Sequence, residues 1–203
     1  MLTADLKSRV AREAATLLYF GAEKEYKQAK TRAARTFGTH FLPSNLEVAL
    51  ELDKVAEENE GENRKERLIQ MRKEALDVMK LLEVYHPVLI GSVWRGTVKQ
   101  GSDIDIAVYS DETQEIVNTL RTRGIKILQT TWSNVNKHGR TLVSLHVHAE
   151  TSAKHGLEIV VRSSAEEGEK RKCEIFGDEI KGLKTKDLER LLKENSSQKF
   201  IPA

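Results

Sequence analysis

The sequence has few of the residues that build cross-linked or extended scaffolds. It contains one cysteine, Cys173, and three prolines among 203 residues. A single cysteine excludes an internal disulfide and a zinc site built on several thiolates, so a reducing, cytoplasmic location is expected. The scarcity of proline, together with 39% hydrophobic residues, excludes a fibrous or disordered chain and is typical of a globular, helix-rich protein.

A large net charge and long apolar runs are also absent. The chain has 33 Lys and Arg residues and 31 Asp and Glu residues. This balance excludes binding to nucleic acid by bulk charge alone and leaves local basic patches as the alternative. No apolar run approaches the length of a membrane span, and the N-terminus acquires charges too early for a signal peptide, so no membrane association is expected.

Hydrophobic spacing predicts two regions. Residues 1–85 have apolar residues at helical spacing and predict three helices, the first running past Tyr26 and the third covering about Asn63 to Tyr85. Residues 86–203 change to a strand-like pattern interrupted by helices and end in a short helical tail. The expected fold is α/β (α+β), with a small mixed sheet covered by helices on one face and a helical N-terminal extension.

Capping residues and alternation place the individual elements. Ser44 or Asn45 is expected to cap the second helix, and Asp111 with Gln114 predicts a capping box for a later one. Strict alternation in DIDIAVYS predicts a strand, and three more are predicted in IKILQTTW, TLVSLHVHA and LEIVVRS.

One of these strands carries two negative charges where apolar residues alone would suffice for packing. In SDIDIAVY the strand period puts Asp103 and Asp105 on one face and Ile104 and Ile106 on the other. The two aspartate Cα atoms are then roughly 7 Å apart, so their carboxylates can share divalent cations. Hard oxygen ligands in this pattern favour magnesium, and the alternative is a solvated strand face.

A glycine-serine pair precedes the aspartates. Gly91 permits close approach of the backbone, and Ser92 offers a hydroxyl and an N–H group, a common way to hold a phosphate. Arg95 and Lys99 add positive charge nearby. Either motif alone is a weak signal, and the spacing between them makes the combination specific.

This spacing resembles a family signature. The stretch IGSVWRGTVKQGSDIDI is similar to the signature of the polymerase-beta-type nucleotidyltransferase superfamily: a hydrophobic residue, Gly-Ser, ten residues, then Asp-hydrophobic-Asp-hydrophobic. The Arg-Gly-Thr and Gly-Ser segments inside it resemble those of archaeal CCA-adding enzymes and minimal nucleotidyltransferases.

The resemblance implies a nucleotide site and a metal site. The residues implied to bind the nucleotide are Gly91, Ser92, Arg95 and Ser102. The residues implied to be catalytic and to bind two Mg²⁺ ions, or Mn²⁺ in their place, are Asp103, Asp105 and Glu158. Glu158 stands where relatives usually have Asp, and the alternative for it is an exposed charge on an edge strand.

The implied reaction is transfer of a nucleoside monophosphate from a nucleoside triphosphate to an acceptor hydroxyl, with release of pyrophosphate. ATP is the expected nucleotide, and the acceptor, which is unidentified, is RNA, a protein or a small molecule. The competing hypothesis is a catalytically weak nucleotide- or RNA-binding module on the same scaffold.

Two other patterns leave alternatives open. His146 and His148 share the polar face of a strand, where they either face the acceptor or lie on a half-exposed sheet surface. The segment EYKQAKTRAAR has four cations, Lys27, Lys30, Arg32 and Arg35, and is either an RNA-facing patch or a solvated helix face. The solvated face is the favoured interpretation.

Overall fold

The computed structural model describes residues 2–137 and 140–202. The α-helices in these ranges are α1 (Leu2–Tyr19), α2 (Tyr26–Thr36), α3 (Asn45–Glu60), α4 (Glu62–Leu81), α5 (Gly91–Arg95), α6 (Thr113–Thr122) and α7 (Thr185–Glu194). The strands are β1 (Val88–Ile90), β2 (Ile104–Tyr109), β3 (Lys126–Lys137), β4 (Arg140–Glu150), β5 (Gly156–Arg162) and β6 (Leu183–Lys184). No helix within these ranges is both long and apolar enough to cross a membrane.

The chain divides into two compact units. The first runs to Arg64 and also includes Lys172–Glu179 and the residues from Ile201, and the second comprises Lys65–Arg171 and Ile180–Phe200. The division falls inside α4, not at the predicted boundary between residues 85 and 86. The reason is that α4 buries its apolar face in the core of the second unit, where Met71, Ala75 and Met79 are fully buried.

The first unit packs α1, α2 and α3 around a core rich in alanine. Its buried residues are Val10, Ala11, Ala14, Ala15, Leu18, Ala29, Ala33, Ala34, Val48 and Val55. Small side chains let the helices approach closely. The predicted cap of α3 is confirmed at Ser44, which forms a capping box with Glu47: the Glu47 N–H donates to Ser44 Oγ at 3.2 Å, and the Ser44 N–H donates to Glu47 Oε2 at 2.7 Å.

The second unit is built on a mixed sheet, as predicted. Its strand order is β3-β4-β5-β2-β1-β6, with β2 and β5 parallel and every other neighbouring pair antiparallel. The predicted α+β class is therefore confirmed. Strand β6 is only two residues long and was not predicted.

Alternation along the central strands separates a packed face from a polar face. Ile104, Ile106 and Val108 of β2 are fully buried in one cluster with apolar residues of α4, α5, α6 and α7. Asp105 and Glu158 point to the opposite face, because successive side chains of a strand alternate. The helices thus support the sheet from behind and leave its polar face to carry the site.

Candidate active site

Strand register brings the predicted acidic residues and the Gly-Ser segment together. Asp105 of β2 pairs with Glu158 on parallel β5 and with Ile90 on antiparallel β1. Gly91 follows Ile90 directly and begins α5. Because paired strands lie about 4.8 Å apart, these residues converge at one end of β2.

Two glycines make room for the two aspartates. Gly91 has a φ of +69°, and a Cβ added to it would overlap Asp105 Oδ2 and lie 2.8 Å from Asp105 Cγ. At Gly156, the first residue of β5, an added Cβ would overlap Asp103 Oδ1 and lie 2.8 Å from Asp103 Cγ. Each aspartate therefore lies against bare backbone. Sequence analysis identified Gly91 but missed Gly156, because only the pairing of β2 with β5 reveals its neighbour.

The carboxylates form a cluster of like charges. Asp103 is exposed, whereas Asp105 and Glu158 are half-buried. Burial, the charges of Glu158 and Asp103, and a hydrogen bond with Glu158 together raise the pKa of Asp105 to about 7, and burial contributes most. A positive charge beside Asp105 would favour its ionised form at neutral pH.

This donor set suits a hard divalent cation, since three carboxyl groups offer only oxygen ligands. In the part of the chain that the structure describes, however, no group of three or more His, Cys, Asp or Glu side chains already has the geometry of a metal site. Instead, Asp105 and Glu158 share a hydrogen bond across the pairing of β2 with β5.

His146, for which the sequence left two interpretations, contacts the carboxylate of Glu158. His146 Nδ1 and Glu158 Oε1 are 2.6 Å apart, and Ser144 Oγ and His146 Nε2 are 3.0 Å apart. Both bonds are satisfied when Nδ1 donates to the carboxylate and Nε2 accepts from the hydroxyl. The alternation that put His146 on the polar face was visible in the sequence, but its partner depends on the pairing of β4 with β5.

A buried arginine fixes the short helix that begins with Gly91. Arg72 of α4 is fully buried and donates from Nε to Val93 O at 3.1 Å and from Nη2 to Trp94 O at 2.9 Å. It also donates to Ser196 O at 2.6 Å and to Gln198 O at 2.9 Å in the C-terminal tail. Burial lowers the pKa of Arg72 to about 10. Sequence analysis missed this role because its partners are backbone carbonyls distant in the chain.

Ser92, Arg95 and Ser102 were also predicted to bind the nucleotide. Ser92 is half-buried in the first turn of α5, next to Gly91. Arg95 is 3% exposed, donates to Phe200 O at 3.0 Å and lies 4.5 Å above the Trp94 ring. Ser102 Oγ accepts from the Lys99 N–H at 3.0 Å. Arg95 and Ser102 thus have partners within the fold, and their nucleotide-binding role stays a prediction.

Several solved structures are similar to part of this chain. A cytoplasmic RNA terminal U-transferase is 16% identical over 50% of this chain and 29% of its own, with a TM-score of 0.32. The Cid1 poly(U) polymerase bound to MgATP is 16% identical over 47% of this chain and 32% of its own, with a TM-score of 0.31. A chain of the GLD-2/RNP-8 complex is 12% identical over 56% and 39%, with a TM-score of 0.32.

This chain therefore spans well under half of each of these structures, and at such TM-scores the likeness carries no argument about activity. No curated protein matches the chain. A family model described as the nucleotidyltransferase domain matches residues 72–199, which is more than half of the chain and includes Gly91, Asp103, Asp105 and Glu158. The resemblance inferred from the Gly-Ser and Asp-x-Asp spacing is thereby confirmed, and the chain belongs to the nucleotidyltransferase domain family.

Proposed function

We propose that the protein transfers a nucleoside monophosphate from a nucleoside triphosphate, with ATP as the first candidate, to an acceptor hydroxyl and releases pyrophosphate. The observation that carries this proposal is the meeting of Asp103, Asp105 and Glu158 beside Gly91 and Ser92, with glycine backbone against each aspartate. The single Cys173 is compatible with a reducing cytoplasm as the site of this reaction.

Asp103, Asp105 and Glu158 would hold two magnesium ions. When bound, these ions would neutralise the triphosphate, assist departure of pyrophosphate and lower the pKa of the acceptor hydroxyl. The carboxylates must be ionised to do this, and the cation offsets the mutual repulsion that raises the pKa of Asp105.

The remaining residues position the reactants. Gly91 lacks a side chain, so the triphosphate can approach the backbone at the start of α5, where Ser92 offers its hydroxyl. Glu158 lies on the neighbouring strand and would accept the proton of the acceptor hydroxyl. The His146 imidazole holds the orientation of that carboxylate. Catalysis would then consist of positioning and charge stabilisation, without a covalent enzyme intermediate.

The test measures pyrophosphate release from each of the four nucleoside triphosphates in the presence of Mg²⁺. An RNA oligonucleotide, an unfolded protein and a low-molecular-weight cell fraction are supplied in turn as acceptors. Asp103→Asn and Asp105→Asn should each lower turnover at least about a hundredfold, which corresponds to roughly 3 kcal/mol in the barrier.

Glu115→Gln is the matched control, because it removes one exposed carboxylate from α6 and should leave turnover unchanged. Nucleotide that binds with no release of pyrophosphate, in wild type and both Asp variants alike, would contradict an enzyme. That outcome would favour the nucleotide- or RNA-binding module.

A further inference from the structure

The first unit contains an unusually basic segment. From Tyr26 to Asn45 the chain has four Lys and Arg residues and no Asp or Glu, a net charge of +4, whereas the whole chain has a net charge of only +2. The cations lie on α2, and the segment ends at the first residue of α3. A positive potential is therefore concentrated in a protein that is otherwise close to neutral.

Two of the four cations have partners and two do not. Lys30 Nζ donates to Asn45 Oδ1 at 2.7 Å, and Arg32 Nη1 donates to Glu23 Oε1 at 3.1 Å. Lys27 and Arg35 are exposed, and neither forms an ion pair with any carboxylate in the described part of the chain. Their charges are available to a ligand.

Lys27 and Arg35 share one face of α2 with Thr31, because residues four apart lie on successive turns. We call Lys27, Thr31 and Arg35 the α2 basic face. It points away from Ala29 and Ala33, which are fully buried in the core of the first unit.

The position of Lys27 is not explained by the stability of α2. The first turn of a helix favours negative charge, since the macrodipole is positive there, yet the first turn of α2 holds Lys27 and no acidic residue. The adjacent N-cap residue Glu25 makes no capping hydrogen bond. Arg35, in the last turn, interacts favourably with the helix dipole. Of the two cations, Lys27 is therefore the one whose position does not stabilise α2.

A cleft adjoins the α2 basic face. Helix α2 ends at Thr36, and Gly38 follows the C-cap residue with a φ of +60°, where the Thr39 N–H donates to Ala34 O at 3.0 Å. The turn that follows completes a cleft of about 590 Å³ lined by Thr31, Ala34, Arg35, Gly38, Thr39, His40 and Leu42. Phe41, within the same loop, is 64% exposed.

We propose that the α2 basic face, the cleft and Phe41 bind a single-stranded polynucleotide. Lys27 and Arg35 would contact successive phosphates, and Thr31, Thr39 and His40 offer hydrogen-bonding groups for a base or sugar. Phe41 lies on the loop that lines this cleft, and an exposed aromatic ring can stack an unpaired base, whereas a duplex keeps its bases stacked within itself. This inference goes beyond the proposed transfer reaction and does not depend on turnover.

The test uses the whole chain and fluorescein-labelled oligomers of about 20 nucleotides. One sequence is supplied as single-stranded RNA, as single-stranded DNA and as a duplex. Binding is measured by fluorescence anisotropy. For single strands, the slope of log affinity against log salt is roughly 0.7 per phosphate contact, so wild type should show a slope of at least about 1.4. The double variant Lys27→Ala/Arg35→Ala should lose about that much of the slope and bind at least about tenfold more weakly at low salt.

Phe41→Ala should weaken binding about fivefold or more and leave the salt dependence unchanged, because a stacking contact involves no counterion. The matched control is Lys73→Ala/Arg123→Ala, which removes one exposed lysine from α4 and one exposed arginine at the end of α6. It should bind as wild type does. In the Asp105→Asn variant binding should persist, which separates this inference from the proposed reaction.

Tighter binding of RNA than of DNA, or the reverse, would identify which polynucleotide the surface prefers. The inference is overturned if wild type binds neither strand, if the wild-type salt slope is well below about 1.4, or if the control double variant loses as much affinity as Lys27→Ala/Arg35→Ala. Equal binding of the duplex, or equally tight binding of polyglutamate labelled in the same way, would also overturn it. A wild-type slope well below about 1.4 overturns the inference even if a variant fails to fold.

Discussion

Gly91 and Gly156 shape the candidate site because they have no Cβ atom. The space that a Cβ would fill is taken by the carboxylates of Asp105 and Asp103. Gly91 combines a φ of +69° with the overlap against Asp105, so a substitution there has two separable costs. Gly156 does not have a positive φ, and its clash is with the terminal oxygen of the exposed Asp103. A carboxylate at the end of an exposed side chain can rotate away, which preserves the fold but displaces a ligand.

Gly156→Ala should therefore lower turnover at least about tenfold, because Asp103 no longer reaches its position beside Asp105. The melting temperature should stay close to that of wild type. Gly101→Ala is the control: Gly101 has a φ of +77° with no atom within 4 Å of an added Cβ, so it introduces backbone strain of about 1 kcal/mol and no clash. Turnover and thermal unfolding measured on both variants separate the two effects, and unchanged turnover in Gly156→Ala would contradict this account of the glycine.

The hydrogen bond from His146 to Glu158 predicts a positioning role. Removing the donor in His146→Ala should lower turnover about ten- to a hundredfold and raise the Mg²⁺ concentration needed for half-maximal rate, because the carboxylate is no longer held toward the cation. His146→Asn places an amide N–H near the position of Nδ1 and should recover part of the loss. His148→Ala is the control, since His148 pairs with Glu158 in the sheet but is not its hydrogen-bond donor. Equal losses in His146→Ala and His146→Asn would argue against a specific donor.

At the scale of elements, strands were easier to predict than helix ends. Alternation identified β2, β4 and β5 because apolar residues on one face of each strand are buried. Strand β3 was also predicted, although none of its residues from 126 to 136 is buried. The first helix was predicted to run past Tyr26, but α1 ends at Tyr19. That prediction was wrong because the chain reverses at Gly21, with a φ of +71°, while apolar residues continue at helical spacing into α2.

The capping box predicted at Asp111 shows how a tertiary contact overrides a local signal. Asp111 accepts hydrogen bonds from the Ser163 and Ser164 hydroxyls after β5, and the N-cap of α6 is Glu112. The predicted box was therefore wrong. A motif of four residues cannot reveal a competing donor 52 positions away. The cap at Ser44, one of the two predicted for α3, forms even though the distant Lys7 also pairs with Glu47.

Helix α5 presents Gly91 and Ser92 only while Arg72 holds the opposite end of the helix and the C-terminal tail. Arg72→Met removes four hydrogen bonds and leaves buried carbonyl groups without donors, so the free energy of unfolding should fall by about 3 kcal/mol. Lys73→Met changes the neighbouring, exposed position of α4 and should cost less than about 0.5 kcal/mol. Urea unfolding of both variants checks this. Equal stability of the two variants would mean that the tail and α5 are held by other contacts.

For the whole molecule, the sequence was sufficient to predict that the acidic residues and Gly91 lie together, but not which residues support them. Asp103, Asp105 and Gly91 lie within one short motif, and their roles remain predictions from its spacing. Gly156 and His146 take part only because β4, β5 and β2 are neighbours in the sheet, and strand order does not follow chain order. Likewise, the chain divides within α4 because the apolar face of this helix packs into the core of the second unit. The helical periodicity of α4 shows that it has an apolar face but not which core that face joins.

The carboxylate cluster also predicts how the stability of the metal-free protein depends on pH. The pKa of Asp105 is about 7 in the folded protein and near 3.8 when the group is exposed, so between these values the folded state holds a proton that the unfolded state has released. The contribution of Asp105 to the free energy of unfolding is therefore fully present below about pH 4. It is lost as the pH rises through 7, and the loss is at most about 4 kcal/mol.

Asp105→Asn keeps the hydrogen-bonding shape without the charge, so the difference in unfolding free energy between the variant and wild type should grow from about pH 5 to about pH 8 in EDTA. Mg²⁺ should reverse this trend in wild type, because a cation binds the ionised carboxylates and stabilises the folded state more at the higher pH. Urea unfolding of both proteins at the two pH values, with EDTA and with Mg²⁺, measures each quantity. An equal effect of Mg²⁺ on wild type at both pH values, or on wild type and Asp105→Asn alike, would show that the cation binds elsewhere and that this cluster is not the metal site.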